Sequence, residues 1–259
     1  MSRFFSFLRF FGFNPYVFAK NLFGVGYYFS TLLKLKKQRG NNTDFVFGKK
    51  YPVLDERGAP SGNSSGHYFN QDLFVAQKIF KACPEKHIDV GSRIDGFVAH
   101  VAVYRKIDVF DVRPLKTSFK NISFTQLDLA SSINDSFTSC CDSISSLHAI
   151  EHFGLGRYGD IIDYNGHLKA IKNITKMLRP LGVFYFSVPI GKQRIEFNAH
   201  RVFSIGYLLE IFKHNYSLVS FSYVDDSGRF FKDVSLNTEN IKTNLGCSFG
   251  CGIFEWKKL

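Results

Sequence analysis

The chain predicts an α/β protein, a mostly parallel sheet with helices on both faces, preceded by a basic N-terminal helical segment. Three observations predict it. Between Lys86 and His152 the chain runs through HIDVGS, KIDVFDV, FTQLDL and DSISSLH, short apolar runs that each end near an acidic, glycine or polar residue. Helical stripes alternate with such runs, as strands joined by crossover helices require. The 259 residues are 45% hydrophobic, which suffices for one large core and argues against disorder. In parallel sheets ligands sit at the carboxyl ends of the strands, where this chain carries Asp89, Gly91, Asp111, Asp128 and His148.

Residues 2–39 are apolar, aromatic and basic. Arg9 and Lys20 interrupt the apolar run and no small-residue cleavage site follows, against a signal peptide. The longest uncharged run, Asn21 to Leu33, falls short of the ~20 residues that span a bilayer. Asn14-Pro15 is a helix start, an N-cap followed by proline in the first turn. The segment predicts two or three short amphipathic helices, with three tasks open to them: packing on the body, forming part of a lid, or lying on an anionic membrane surface. Residues 1–50 hold nine Lys/Arg against one acid, whereas the rest carries 24 basic and 21 acidic residues. Eight of the eleven net positive charges therefore lie in residues 1–50, and no nucleic-acid partner is expected of the body. A cytoplasmic protein that meets the inner face of the cell membrane through residues 1–39 is the corresponding expectation.

Residues 40–66 are rich in Gly, Ser, Asn and Pro and read as loop, which divides the chain into 1–66 and 67–259. Phe69, Leu73, Ala76 and Phe80 form a helical stripe ended by Pro84. Strands follow at about 87–91, 106–112, 122–128 and 141–147, with a helix at 94–104. Leu168, Ile171, Ile174 and Leu178 share a helix face, and Pro180 and Gly182 punctuate its end. GVFYFSVP (182–189) is a buried strand, 203–214 a helix and 217–224 a strand. Residues 225–246 read as an insertion or hairpin before a last strand in 247–256. The five cysteines include no CxxC pair, which suits a reducing compartment, and Cys247 and Cys251 read as structural.

The chemistry starts at Asp89-Val90-Gly91-Ser92, with Arg93 and Gly96 beyond. A strand-to-helix turn that admits a ligand needs glycine, and the helix behind it favours anionic groups. Asp111, twenty residues after Gly91, ends the next strand with Val112 and Arg113 following. An acid there accepts hydrogen bonds from ribose hydroxyls. The bland alternative for Asp89 and Asp111 is capping of their own loops. His148, Glu151 and His152 have i, i+3, i+4 spacing. One histidine could take a proton from a hydroxyl, the three could hold a divalent metal (not the expected outcome), or they could only order the loop. Gly154 to Asp160 is a glycine-rich loop offering Arg157 and Tyr158, without the lysine or threonine of a P-loop. Lys192, Arg194, Glu196, Asn198, His200 and Arg201 form a dense polar run suited to an anionic acceptor or to plain solvated loop.

These residues resemble the class I S-adenosylmethionine-dependent methyltransferases. Asp89 and Gly91 match that family's acid-x-Gly turn, and Asp111 its second-strand acid. Asp128 with Leu129 matches its adenine-side acid, and Leu147-His148-Ala149-Ile150-Glu151-His152 its LH-x-x-EH stretch. LRPLGVFYFSVP is similar to its L-K-P-G-G turn before a strand. The resemblance covers about 67–224. It implies a Rossmann-like three-layer sandwich whose last strand is antiparallel, and S-adenosylmethionine as cofactor at Asp89, Gly91, Ser92, Arg93, Gly96, Asp111, Val112, Arg113, Asp128, Leu129 and Leu147. The chain departs from the family after Gly91, where Ser92, Arg93 and Asp95 stand in place of further glycines. The string from SGHYFNQD to FNAHRVFS is also similar to an uncharacterised bacterial methyltransferase-like family associated with surface-polysaccharide synthesis. Together these imply methylation of a sugar or polysaccharide precursor. His148, Glu151, His152 or His200 would serve the acceptor hydroxyl, and Arg157, Tyr158, Arg194, Asn198 and Arg201 would hold the acceptor. The runners-up are a non-catalytic membrane scaffold with an altered cofactor turn and a nicotinamide-dependent nucleotide-sugar enzyme.

Overall fold

The computed structural model describes residues 8–59, 61–62 and 65–259. Residues 1–7 of the segment expected to face a membrane lie outside the described residues. The chain divides into two compact units, residues 1–63 and 64–259.

The first unit is built on a single 25-residue helix, α1 (Pro15–Arg39), about 37 Å long at 1.5 Å per residue. This corrects the expectation of two or three short helices. The Asn14 side chain accepts from the Tyr16 and Val17 amides and Pro15 fills the first turn. No second proline follows inside the helix, and Gly24 and Gly26 alone do not stop it. Nor is α1 amphipathic in the expected sense. Tyr16, Phe23 and Tyr27 are exposed on one side, and Phe18, Leu22, Phe29 and Leu33 on another. The loop that follows returns to α1 at Gly24, where a Cβ would stand 2.3 Å from the Leu54 carbonyl oxygen, and Arg57 lies 4.0 Å over the Tyr27 ring. No helix among the described residues is long and apolar enough to cross a membrane.

The second unit opens with α2 (His67–Ala82), followed by β1 (His87–Val90), an irregular helical turn (Ile94–Val98) and α3 (Ala99–Ala102). Then come β2 (Ile107–Asp111), β3 (Ile122–Gln126), β4 (Cys141–Leu147), α4 (Gly166–Met177) and β5 (Leu178–Ile190). A small ribbon, β6 (Arg194–Glu196) and β7 (His200–Val202), precedes α5 (Ile205–Phe212) and β8 (Tyr216–Val224). The chain ends through β9 (Phe230–Phe231), α6 (Thr238–Thr243) and β10 (Gly250–Lys258). The main sheet has the order β3-β2-β1-β4-β5-β10-β8-β9. β1 to β5 pair in parallel, and β10 runs antiparallel to both β5 and β8. β5 starts earlier than expected: Leu178 pairs with Cys141, and pairing resumes at Val183–Ser143 after an irregularity that absorbs Pro180 and Gly182.

Alternate strand residues feed two cores. Ile144, Phe184, Phe186, Phe254 and Trp256 meet α4 and α5 on one face, whereas Val109, Tyr185 and Ile253 meet α2 and the turn after β1 on the other. The burial of α2 corrects its expected stripe. Phe69, Leu73 and Phe80 are exposed, and Gln71, Asp72, Val75, Ala76 and Ile79 are buried. Both sets have helical spacing; the one that packs includes the two polar residues that reach the carboxyl edge of the sheet. β4 is a buried strand with three serines because β1 needs partners. Ser143 and Ser145 meet the two ring nitrogens of His87 at 2.8 and 3.1 Å, and Ser146 donates to the Val90 carbonyl.

Candidate functional site

A cavity of about 530 Å³ opens at the carboxyl edge of the sheet, over β1, β2 and β4, within the size range of small-molecule sites. Gly91 forms part of its floor. It has φ +76°, and a Cβ there would stand 2.8 Å from the Ala149 Cβ, so glycine alone passes beneath the loop after β4. Ser92 and Arg93 continue the lining. Arg93 and Asp95, which depart from the glycine pattern, pair with each other at 2.6 Å with side chains 65% and 70% exposed. They close on one another at the rim and leave the hollow open.

Asp89 does not reach the cavity, a correction to its expected ligand contact. It is fully buried and accepts from the Ser92 amide at 3.0 Å, the Ser92 hydroxyl at 2.7 Å and the Ser145 hydroxyl at 2.6 Å. Burial pushes its pKa up to about 7 against those three donors. Asp89 thus ties the turn to β4 from behind. Gly96 also stands behind the lining, where a Cβ would lie 2.8 Å from Asp72 Oδ2.

Asp111 ends β2 in the cavity wall beside Val112 and Arg113. Arg113 folds back on it: its amide and Nε lie 2.8 and 2.9 Å from Oδ1, and Nε and Nη2 lie 3.2 and 2.5 Å from Oδ2. The guanidiniums of Arg113 and Arg157 both lie over the Tyr158 ring, 4.7 and 5.2 Å from its centroid. Asp128 and Leu129 line the β3 side, where Asp128 also accepts from the Ala130 amide and the Ser131 hydroxyl. Leu147 lines the β4 side.

β4 delivers His148 to the wall in a left-handed conformation, φ +49°, unusual for a side chain of this size. Glu151 is buried behind it, with Oε1 2.7 Å from His148 Nδ1 and 3.8 Å from His152 Nε2. Burial opposes charge on both partners. Cys251 and Glu151 outweigh it at His148, whose pKa is held well above the usual histidine value, and the His148 ring holds Glu151 below the usual carboxylate value. His148, Glu151 and His152 therefore do not converge as one ligand set: the carboxylate faces the far nitrogen of His148. His152 lines the cavity, and burial lowers its pKa. Its Nδ1 is 2.7 Å from the Ala199 carbonyl, so Nδ1 carries the proton and Nε2 is the basic atom.

Arg157 and Tyr158 line the cavity. Their loop is closed on Asp160, whose carboxylate accepts from the Gly154, Gly156 and Tyr158 amides, so those amides are not free to clasp a phosphate. His200, Arg194, Asn198 and Arg201 do not line the cavity, a second correction. His200 and Arg194 lie 3.0 and 2.7 Å from Glu196, and Asn198 is exposed in the turn between β6 and β7. Arg201 is 4% exposed and donates to the Phe153 and Tyr164 carbonyls at 2.5 and 3.1 Å, which makes it an anchor for the loop after β4. Sequence reasoning missed Tyr68, Gln71 and Asp72, which α2 places in the wall. The signal for them was a carboxylate and an amide in line with the apolar Val75, Ala76 and Ile79 of the same helix; burial raises the Asp72 pKa.

Solved structures share this architecture. A candidate sarcosine dimethylglycine methyltransferase from Galdieria sulphuraria is 14% identical, over 73% of this chain and 85% of that one, with a TM-score of 0.50. The [4+2]-cyclase SpnF is 11% identical, over 76% of this chain and 85% of that one, with a TM-score of 0.51. The fold is thus the Rossmann-like fold of class I S-adenosylmethionine-dependent methyltransferases, and a cyclase among the neighbours shows that it does not fix the reaction. No curated protein matches the chain. Residues 106–245, more than half of the chain, match one family profile, and the chain belongs to that family, described as Caenorhabditis protein of unknown function, DUF268.

Proposed function

We propose that the chain is a methyltransferase that uses S-adenosylmethionine and acts on a hydroxyl of a sugar or polysaccharide precursor. The observation that carries this reading is the single cavity in which the glycine turn after β1 meets the strand-end acids Asp111 and Asp128. S-adenosylmethionine supplies an electrophilic methyl group when bound. Asp111 would accept the ribose hydroxyls, Asp128 and Leu129 would bound the adenine, and Gly91 would let the backbone approach the methionine part. Asp72 and Tyr68, on the wall contributed by α2, suit an ammonium group at that end. His152 Nε2 would take the acceptor proton, and the Glu151 carboxylate beside it would stabilise the resulting imidazolium. Arg157 and Tyr158 at the rim suit a polar or anionic acceptor.

One observation favours a second reading, a binding module that has lost the cofactor. Three N–H groups of Arg113 occupy most of the acceptor sites of the Asp111 carboxylate, so ribose hydroxyls compete with its guanidinium. Thermal unfolding with S-adenosylmethionine, S-adenosylhomocysteine and NAD in parallel separates the two, because a ligand that binds only the native state raises its melting temperature. We expect S-adenosylhomocysteine to stabilise the wild type, Arg113→Ala to bind it more tightly and Asp111→Asn more weakly. No stabilisation of either the wild type or Arg113→Ala would leave the binding-module reading standing. For the N-terminal unit we infer attachment to an anionic membrane surface, supported by the exposed aromatic residues of α1 and the basic residues among them.

A further inference from the structure

Beneath the first turn of α2, three metal-binding side chains meet. His67 on α2, His148 after β4 and Cys251 at the start of β10 place their donor atoms within 4.8 Å of one another. The reading above uses none of the three as a reacting group. Both histidines are held by neighbours. Glu151 Oε1 is 2.7 Å from His148 Nδ1, and the His67 ring stacks on Phe249 with centroids 5.5 Å apart. A metal-bound imidazole almost always gives its other N–H to a carboxylate or carbonyl, as His148 does to Glu151. The inward nitrogen of His148, Nε2, is buried with no hydrogen-bond partner, and so is Glu151 Oε2. Orphaned buried polar atoms are costly, and each asks for an explanation. Cys251 is fully buried, with the Gln71 side-chain oxygen 3.5 Å from its sulfur. The His67 and His148 rings lie 5.1 Å apart and nearly parallel, at 8°.

We propose that His67, His148 and Cys251 bind one zinc-class divalent cation, with Glu151 as the carboxylate behind His148. Charge supports this. A thiolate at Cys251 and the Glu151 carboxylate together balance a dication held by two neutral imidazoles, so the buried site closes neutral. Two nitrogens and one sulfur suit zinc or its soft neighbours rather than magnesium or calcium, which take oxygen ligands. Zn–N and Zn–S bonds of ~2.0 and ~2.3 Å in a tetrahedron put donor atoms about 3.5 Å apart. The cluster must therefore contract by roughly 1 Å and one imidazole must tilt out of the stack so that both ring planes meet at the cation; partly exposed His67, in the first turn of its helix, is the side chain free to do both. Three protein ligands leave a fourth position for water. Binding releases the Cys251 thiol proton, and any proton on His148 Nε2, to solvent. The cation would join α2, β4 and β10 and fix His148 at the cavity wall. This inference does not depend on the methyl-transfer reading.

The test uses the full-length protein, stripped with a chelator and titrated with Co²⁺ and then Zn²⁺. We expect one equivalent of Co²⁺ to bind, with tetrahedral visible bands and a thiolate-to-cobalt charge-transfer band. One equivalent of Zn²⁺ should bleach both and raise the melting temperature. Cys251→Ser should lose the charge-transfer band. His67→Gln, a partly exposed position that keeps the core intact, should lower Co²⁺ affinity at least about tenfold. Folded wild-type protein without the charge-transfer band would overturn the proposal. So would a band that survives Cys251→Ser, or affinity unchanged in His67→Gln.

Discussion

Asp89 shows how little a residue's type says about where it points. In a strand buried on both faces, each side of the strand is core, so alternation does not tell a carboxylate aimed at a ligand from one aimed at its neighbours. The acid-x-Gly pattern was legible, but the buried contact of Asp89 with Ser92 and Ser145 was not, because it closes on Ser145, on a strand more than fifty residues away. Its folded pKa of about 7 lies above the ordinary 3.8. The native state therefore holds a proton that the unfolded state has released between those two values. That contribution to stability is complete below about pH 4 and is lost as pH rises through 7. Asp89→Asn removes the titration while keeping the shape. The stability of the wild type relative to this variant should fall between pH 4 and 7, by up to about 1.4 kcal/mol per pH unit in denaturant unfolding. A difference that stays flat with pH would show that Asp89 is ionised in the native state throughout.

At the scale of elements, strand positions were legible and helix faces less so. The runs at 87–91, 106–112 and 182–189 announced β1, β2 and β5 because buried parallel strands are largely apolar stretches, whereas β4 was placed despite its three serines. On α2 the more apolar stripe was the misleading one. The side that packs also carries Gln71 and Asp72 to the cavity, and a functional face weakens its own hydrophobic signal. The polar run after β5 misled in the opposite sense. Arg194, Asn198 and Arg201 lie close to the site in sequence, yet Arg201 is sunk among the carbonyls of the loop after β4, where its charge is spent on backbone rather than ligand. Arg201→Met should therefore cost about 1–3 kcal/mol in denaturant unfolding, since it strands the part-buried Phe153 and Tyr164 carbonyls. Amide exchange over residues 150–164 should speed up. A variant that keeps its stability but loses only ligand affinity would return Arg201 to the acceptor site.

At the scale of the molecule, charge is segregated between the units. The first fifty residues hold nine of the 33 basic residues against a single acid, and α1 ends in Lys34, Lys36, Lys37 and Arg39. That asymmetry was legible from composition, whereas the continuity of α1 was not, because its two glycines are too weak as stop signals to decide between one helix and several. A single helix about 37 Å long with aromatic residues on more than one side cannot bury them all by lying against one flat surface. The proposed membrane attachment must then draw on the basic residues as well as on aromatic insertion. Each Lys or Arg near an anionic leaflet contributes about 1 kcal/mol. Substituting the four as K34Q, K36Q, K37Q and R39Q should weaken sedimentation with phosphatidylserine vesicles by up to about a thousandfold. Raised salt should weaken it in the wild type too, since the attraction is screened beyond ~10 Å at 0.1 M. Binding that resists both salt and the four substitutions would mean that the aromatic residues alone hold the protein to lipid. No binding to phosphatidylserine vesicles at all would overturn the membrane attachment and leave packing on the body or a lid as the task of those residues.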